Sequence, residues 1–77
     1  MALRLTLYST SACHLCEQAE QLLEALPPTL ACWQTIEITE DEALLAGYGT
    51  RIPVVRREDT QAELGWPFDT AQLLAFL

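Results

Sequence analysis

Lysine is missing altogether. The cations are Arg4, Arg51, Arg56 and Arg57 against eleven acidic residues, and the formal charge is −7. A surface of that sign repels phosphate backbones and anionic lipid heads over roughly a Debye length, ~8 Å in physiological salt, so neither nucleic acid nor membrane is expected as a partner. Long hydrophobic runs are missing too: no stretch approaches the ~18 residues that would span a bilayer. Met1-Ala2-Leu3-Arg4 leads straight into a strand pattern with no signal-peptide layout, so a cytoplasmic location is expected. A second cysteine pair is also lacking. Cys13, Cys16 and Cys32 form an odd set, which argues against a secreted disulfide scaffold and turns Cys13-x-x-Cys16 toward redox or metal chemistry.

What is present describes an ordinary globular chain. Its 77 residues, 51% hydrophobic and 19% charged, allow one domain over 1–77 with one small core, and no disordered or low-complexity segment. A domain of this size buries only about 60% of its unfolded surface, so modest stability follows.

The stretch Tyr8 to Cys16 organises the rest. Leu3, Leu5 and Leu7 alternate with Arg4, Thr6 and Tyr8, the period-two pattern of a strand. A helical pattern of Leu15, Ala19, Leu22, Leu23 and Leu26 follows, opening at Ala12 or Cys13 and stopped by Pro27 and Pro28. Ser11 is the expected N-cap, with Thr10 next. Cys32–Ile38 reads as a second strand, parallel to the first at the end of a right-handed βαβ unit. Its Cys32 is expected to be a small buried hydrophobe. Thr39 and Glu42 form a capping-box pattern before Ala43–Ala46, which predicts a short second helix ending at Gly47. Ile52–Val55 reads as a third strand with Pro53 at its first residue, since proline cannot donate to a ladder. The polar run Arg56–Gln61 predicts a hairpin tip before a fourth strand at Ala62–Leu64. Asp69 and Gln72 then suggest a cap for a last helix carrying Leu73, Leu74, Phe76 and Leu77. The order is βαβαββα, an α/β fold.

The Cys13-His14-Leu15-Cys16 unit between strand and helix, the Arg51-Ile52-Pro53-Val54 loop and the βαβαββα order together resemble the glutaredoxin branch of the thioredoxin-fold superfamily, over essentially the whole chain. The resemblance implies a four-stranded mixed sheet in the order 2-1-3-4 flanked by three helices, with the first and last helices on one face and the middle one on the other. It implies a cis-proline at Pro53 lying against the dithiol, and substrate contacts from Arg51, Ile52, Pro53, Tyr8 and His14. The chain also departs from the family. The usual Cys-Pro-Tyr-Cys is Cys13-His14-Leu15-Cys16 here, a frequent lysine is Thr10, Thr-Val-Pro is Arg51-Ile52-Pro53, and the Gly-Gly before the last helix survives only as Gly65-Trp66.

The expected chemistry is thiol–disulfide exchange, which needs a thiolate to attack a disulfide and a second thiol to resolve the mixed disulfide. At the helix N-terminus unpaired N–H groups and the helix dipole favour the thiolate, so Cys13 is the expected nucleophile and Cys16 the resolving thiol. His14, if protonated, would favour it further, against Glu17 and the negative charge of the whole. Arg51 is the cation expected to steer an anionic substrate such as a glutathione carboxylate. Arg56 and Arg57 read as a solvated hairpin tip. The partners expected are disulfide-containing proteins and a thiol reductant, with glutathione as a possible co-substrate, no tightly bound cofactor, and a monomeric chain. Two alternatives stay open: a thioredoxin-fold binding module whose dithiol does not cycle, and a metal- or iron–sulfur-binding thiol protein recruiting His14 or Cys32, or bridging two copies through Cys13 and glutathione.

Overall fold

A computed structural model describes residues 2–77. Met1, which opens the lead-in to the first strand, lies outside them. The elements are β1 (Leu3–Ser9), α1 (His14–Glu24), β2 (Ala31–Glu37), a 3-10 turn (Ile38–Glu40), α2 (Glu42–Tyr48), β3 (Val54–Arg57), β4 (Glu63–Gly65) and α3 (Thr70–Phe76). The strands form one mixed sheet in the order β2-β1-β3-β4. β1 and β2 are parallel, with Ser9 opposite Glu37; β1 and β3 are antiparallel, with Tyr8 opposite Val54; β3 and β4 are antiparallel.

The period-two pattern of β1 sorts its side chains to two apolar layers. Leu5 and Leu7 join Ala19, Leu23, Leu26, Ala31, Val55, Phe68 and Leu73 on the face covered by α1 and α3. Tyr8 joins Ile38 and Val54 on the other face, where Ile36, Leu44, Tyr48 and Ile52 pack. Burial of each large aliphatic side chain in the first layer contributes roughly 1.5–3 kcal/mol. Among the described residues, no helix is long and apolar enough to cross a membrane.

Several local expectations change. β1 is covered on both faces, so its polar side holds a buried Thr6, whose hydroxyl donates to Glu58 Oε1 at 2.8 Å. The N-cap of α1 is Cys13, not Ser11, because Ala12 takes a left-handed φ of 57° and delays the helix. α1 ends at Glu24, capped at Ala25, two residues before Leu26. β2 spans Ala31–Glu37, leaving Ile38 to the 3-10 turn that also takes up Thr39. The cap of α2 is accordingly Asp41, whose Oδ1 accepts from the backbone of Ala43 and Leu44. At α3 the Asp69–Gln72 pair is a complete capping box, as the spacing predicts.

Arg56 and Arg57 are strand residues rather than a hairpin tip; β3 begins after Pro53 and runs through them. Arg57 is pinned by Asp59 at 2.6 Å and donates to the carbonyls of Phe76 and Leu77, tying the C-terminal end of α3 to the sheet. Cys32 is exposed, not buried. Ala31 and Trp33 point to the α1/α3 layer, so strand parity turns Cys32 to the other face of the sheet.

Candidate active site

The two cysteines stand where β1 hands over to α1. Thr10–Ala12 carry the chain off the sheet, and Cys13 is extended at φ −105°, ψ 104°, the backbone conformation of an N-cap. Its Sγ accepts the backbone N–H of Cys16 at 3.2 Å, so the sulfur itself occupies one of the free donors of the first helical turn. The structure holds Cys13 and Cys16 as a disulfide with a Cα–Cα distance of 5.2 Å, inside the range such bonds require.

Burial separates the two thiols. Cys16 lies on the core side of α1 at 2% exposure, whereas Cys13 is half-buried and meets solvent. The outer surface of the turn carries His14, whose Nδ1 lies 3.8 Å from Glu17 Oε2, both side chains largely exposed. Leu15 is the exposed apolar residue between the cysteines.

Pro53 is buried and immediately precedes β3, and the Ile52–Pro53 peptide bond is cis. The register that sets Val54 opposite Tyr8 puts Pro53 beside the C-terminal end of β1, the end from which the dithiol loop departs. Pro53 accepts the N–H of Trp66 through its carbonyl at 3.1 Å, which fixes the start of β3 against the chain leaving β4.

The remaining expected site residues form a separate cluster on the α2 face. Tyr8 is only 6% exposed and stacks on Tyr48 with ring centroids 4.3 Å apart. Arg51 donates to Glu63 Oε1 at 3.0 Å and to the Gly47 carbonyl at 3.4 Å, with its guanidinium carbon 5.0 Å from the Tyr48 ring centroid. The Tyr48 hydroxyl donates to Glu63 Oε2. That bond raises the Tyr48 pKa above its ordinary value, and the same bond, with Arg51 beside it, lowers that of Glu63. Arg51 is therefore engaged in an ion pair on this face, and Tyr8 is a packing element under it.

Cys32 is paired in register with Arg4, at the opposite end of the strands from the dithiol loop. Arg4 to Ser9 spans about 17 Å at roughly 3.3 Å per strand residue, so Cys32 does not join Cys13 in one ligand set. Among the described residues no group of three His, Cys, Asp or Glu side chains is arranged to hold a metal ion.

One residue at the site was not singled out in the sequence. Glu37, at the end of β2, accepts the backbone N–H of Ser11 at 2.8 Å through Oε1 and that of Thr39 at 3.3 Å through Oε2. Hydrogen bonding from the Thr10 side chain, then from the Ser11 backbone, holds its carboxyl below the ordinary value of 4.5. Its partner in the dithiol loop is 26 residues away, so no local pattern announces the contact.

The family described as Glutaredoxin-like domain (DUF836) matches residues 4–77, from the first strand through the last helix. The chain belongs to that glutaredoxin-like family. Solved structures agree. The X-ray structure of target protein XcR50 from X. campestris is 40% identical, with 94% of this chain and 92% of that one covered and a TM-score of 0.81. The solution structure of XcR50 gives 41% identity, 99% and 91% coverage and a TM-score of 0.80. The solution NMR structure of protein Ne2328 from Nitrosomonas europaea is 28% identical, with 100% and 93% coverage and a TM-score of 0.84. No curated protein matches the chain. The glutaredoxin-like fold thus places a Cys-x-x-Cys disulfide at a helix N-terminus, an arrangement consistent with redox chemistry.

Proposed function

We propose that this glutaredoxin-like domain is a thiol–disulfide oxidoreductase acting on disulfide-containing proteins or glutathione mixed disulfides. The observation that carries the reading is the division of labour between the two sulfurs: Cys13 is the solvent-facing cap of α1, and Cys16 is buried one turn in. In the reduced form the Cys13 thiolate, favoured by the N–H groups and dipole of the helix start, attacks one sulfur of a substrate disulfide. The substrate S–S bond breaks, its first sulfur leaves as a thiolate and takes a proton, and Cys13 is joined to the second. Cys16 then gives up its proton and attacks Cys13, releasing the second substrate thiol. The substrate gains two electrons, and the protein ends in the disulfide form; an external thiol reductant restores the dithiol. Ile52 and Pro53, at the start of β3 beside the loop, shape the groove that receives the substrate, with His14 at the rim of the turn.

The test is trapping. Cys16→Ser protein in a Cys32→Ser background, which removes the exposed free thiol, is reduced and mixed with a glutathionylated peptide; it accumulates a mixed disulfide on Cys13 that mass spectrometry locates, while Cys13→Ser protein in the same background forms none. Adducts that form equally on both variants, or on neither, contradict the reading.

A further inference from the structure

The loop that presents Cys13 is held by a residue from another strand. Ser9 and Glu37 are opposite each other at the ends of β1 and β2, and beyond that pair both strands depart into connections. Glu37 closes both of them, one carboxylate oxygen on Ser11 N–H in the dithiol loop and the other on Thr39 N–H in the 3-10 turn leading to α2. Ala12, between the clamped Ser11 and Cys13, has the left-handed φ of 57°, a conformation that non-glycine residues seldom adopt without support. The clamp thus acts on the two residues whose backbone sets the direction of the Cys13 side chain.

We propose that Glu37 is a positioning residue for the dithiol: by bonding Ser11 N–H it holds the loop in the conformation from which Cys13 and Cys16 close into a disulfide. A loop held in advance need not be ordered each time the ring closes, so the clamp favours the disulfide over the dithiol. The effect requires a hydrogen-bond acceptor at the right reach, not a negative charge as such. Like any glutamate the acceptor is ionised at neutral pH, and the bonds it accepts lower its pKa further. The use of the clamp in catalysis rests on the exchange activity proposed above; the clamp itself is a property of the folded chain.

The experiment is an equilibrium titration of the Cys13–Cys16 pair in dithiothreitol redox buffers at pH 7, read by alkylation and intact mass, for the wild type and three variants whose folding is checked by circular dichroism. Glu37→Ala removes the acceptor and shifts the equilibrium toward the dithiol by about tenfold, the entropy of roughly one backbone residue left to be ordered when the ring closes. Glu37→Gln keeps an acceptor of the same reach and stays within about threefold of wild type. Glu37→Asp keeps the charge but withdraws the oxygens by one methylene, and follows Glu37→Ala. The inference is overturned if Glu37→Ala titrates with wild type, if Glu37→Asp does so, or if Glu37→Gln shifts as far as Glu37→Ala. This titration needs no enzymatic turnover, so a failure of the trapping experiment with the variant series still in the stated order would remove the exchange reading alone.

Discussion

Cys13 Sγ lies 3.2 Å from the backbone nitrogen of Cys16, so the exposed cysteine of the pair is also the N-cap of α1. Its two roles separate under substitution. Serine is among the best N-caps, so Cys13→Ser keeps or improves stability, whereas Cys13→Ala loses the cap at a cost of about 1 kcal/mol. Both abolish exchange. Urea unfolding of the reduced proteins, beside a disulfide-reduction assay, checks the pair; Cys13→Ser less stable than Cys13→Ala would show that the cap contributes nothing.

Leu73 is completely buried between α3 and the sheet. Leu73→Ala should cost about 2–5 kcal/mol, the range for truncating a buried leucine. In so short a chain that approaches the whole stability. Circular dichroism at 25 °C should show a large unfolded fraction; a shift of the urea midpoint worth less than about 1 kcal/mol would mean that α3 is not seated as described.

The acid limb of stability follows from depressed carboxyls. Glu63 is held below 4.5 by the Tyr48 hydroxyl and then by Arg51, and Asp59 below 3.8 by Arg57. A carboxyl whose folded pKa lies under its unfolded one contributes stability in full above the unfolded value, and the contribution is lost as pH falls toward the folded value. Stability should therefore be flat from pH 7 to about 5 and fall below that. Glu63→Gln should be less stable at pH 7 and have a shallower acid limb, measured as urea midpoints at pH 7, 5 and 3.5.

Arg51→Ala breaks an exposed pair with Glu63 and a contact with Tyr48, and should cost no more than about 1 kcal/mol. Because its guanidinium is engaged on the α2 face, exchange with glutathione disulfide and with a neutral disulfide should slow by the same small factor. Selective loss with the anionic substrate would instead assign Arg51 to substrate steering.

Arg57 anchors the end of α3 through the Phe76 and Leu77 carbonyls. Arg57→Ala should lower the urea midpoint, because it removes the charged donor that holds both carbonyls. Amide hydrogen exchange should show the added fraying concentrated in α3 and not in β2.

The extents of the first strand and of the helices and the position of the dithiol were legible because each rests on a local signal: alternation in Leu3–Tyr8, the helical spacing from Leu15, the double proline after Leu26, and the Asp69–Gln72 box. The sheet order and the faces the helices cover came only with the resemblance to the glutaredoxin branch. The errors came where a distant residue decides. Ser11 has the better side chain for a cap, yet its backbone is taken by Glu37, and the helix begins after Cys13. Arg56 and Arg57 look like a polar tip until β1 and β4 pair with them as strand. Cys32 has the composition of a core residue, but a parity fixed by Ala31 and Trp33 turns it outward. No sequence pattern marks Glu37, whose significance exists only once β1 and β2 are side by side.

The most direct test of the central claim is an equilibrium titration of Cys13 and Cys16 in glutathione redox buffers, with free thiols alkylated and the intact protein weighed. The account predicts one two-electron transition between dithiol and disulfide, within the ~−180 to −270 mV span of glutaredoxins, thioredoxin and disulfide isomerase, with any glutathione adduct within the pair on Cys13, apart from any on the exposed Cys32. A pair that stays reduced across all the buffers, with no adduct on Cys13, would contradict it.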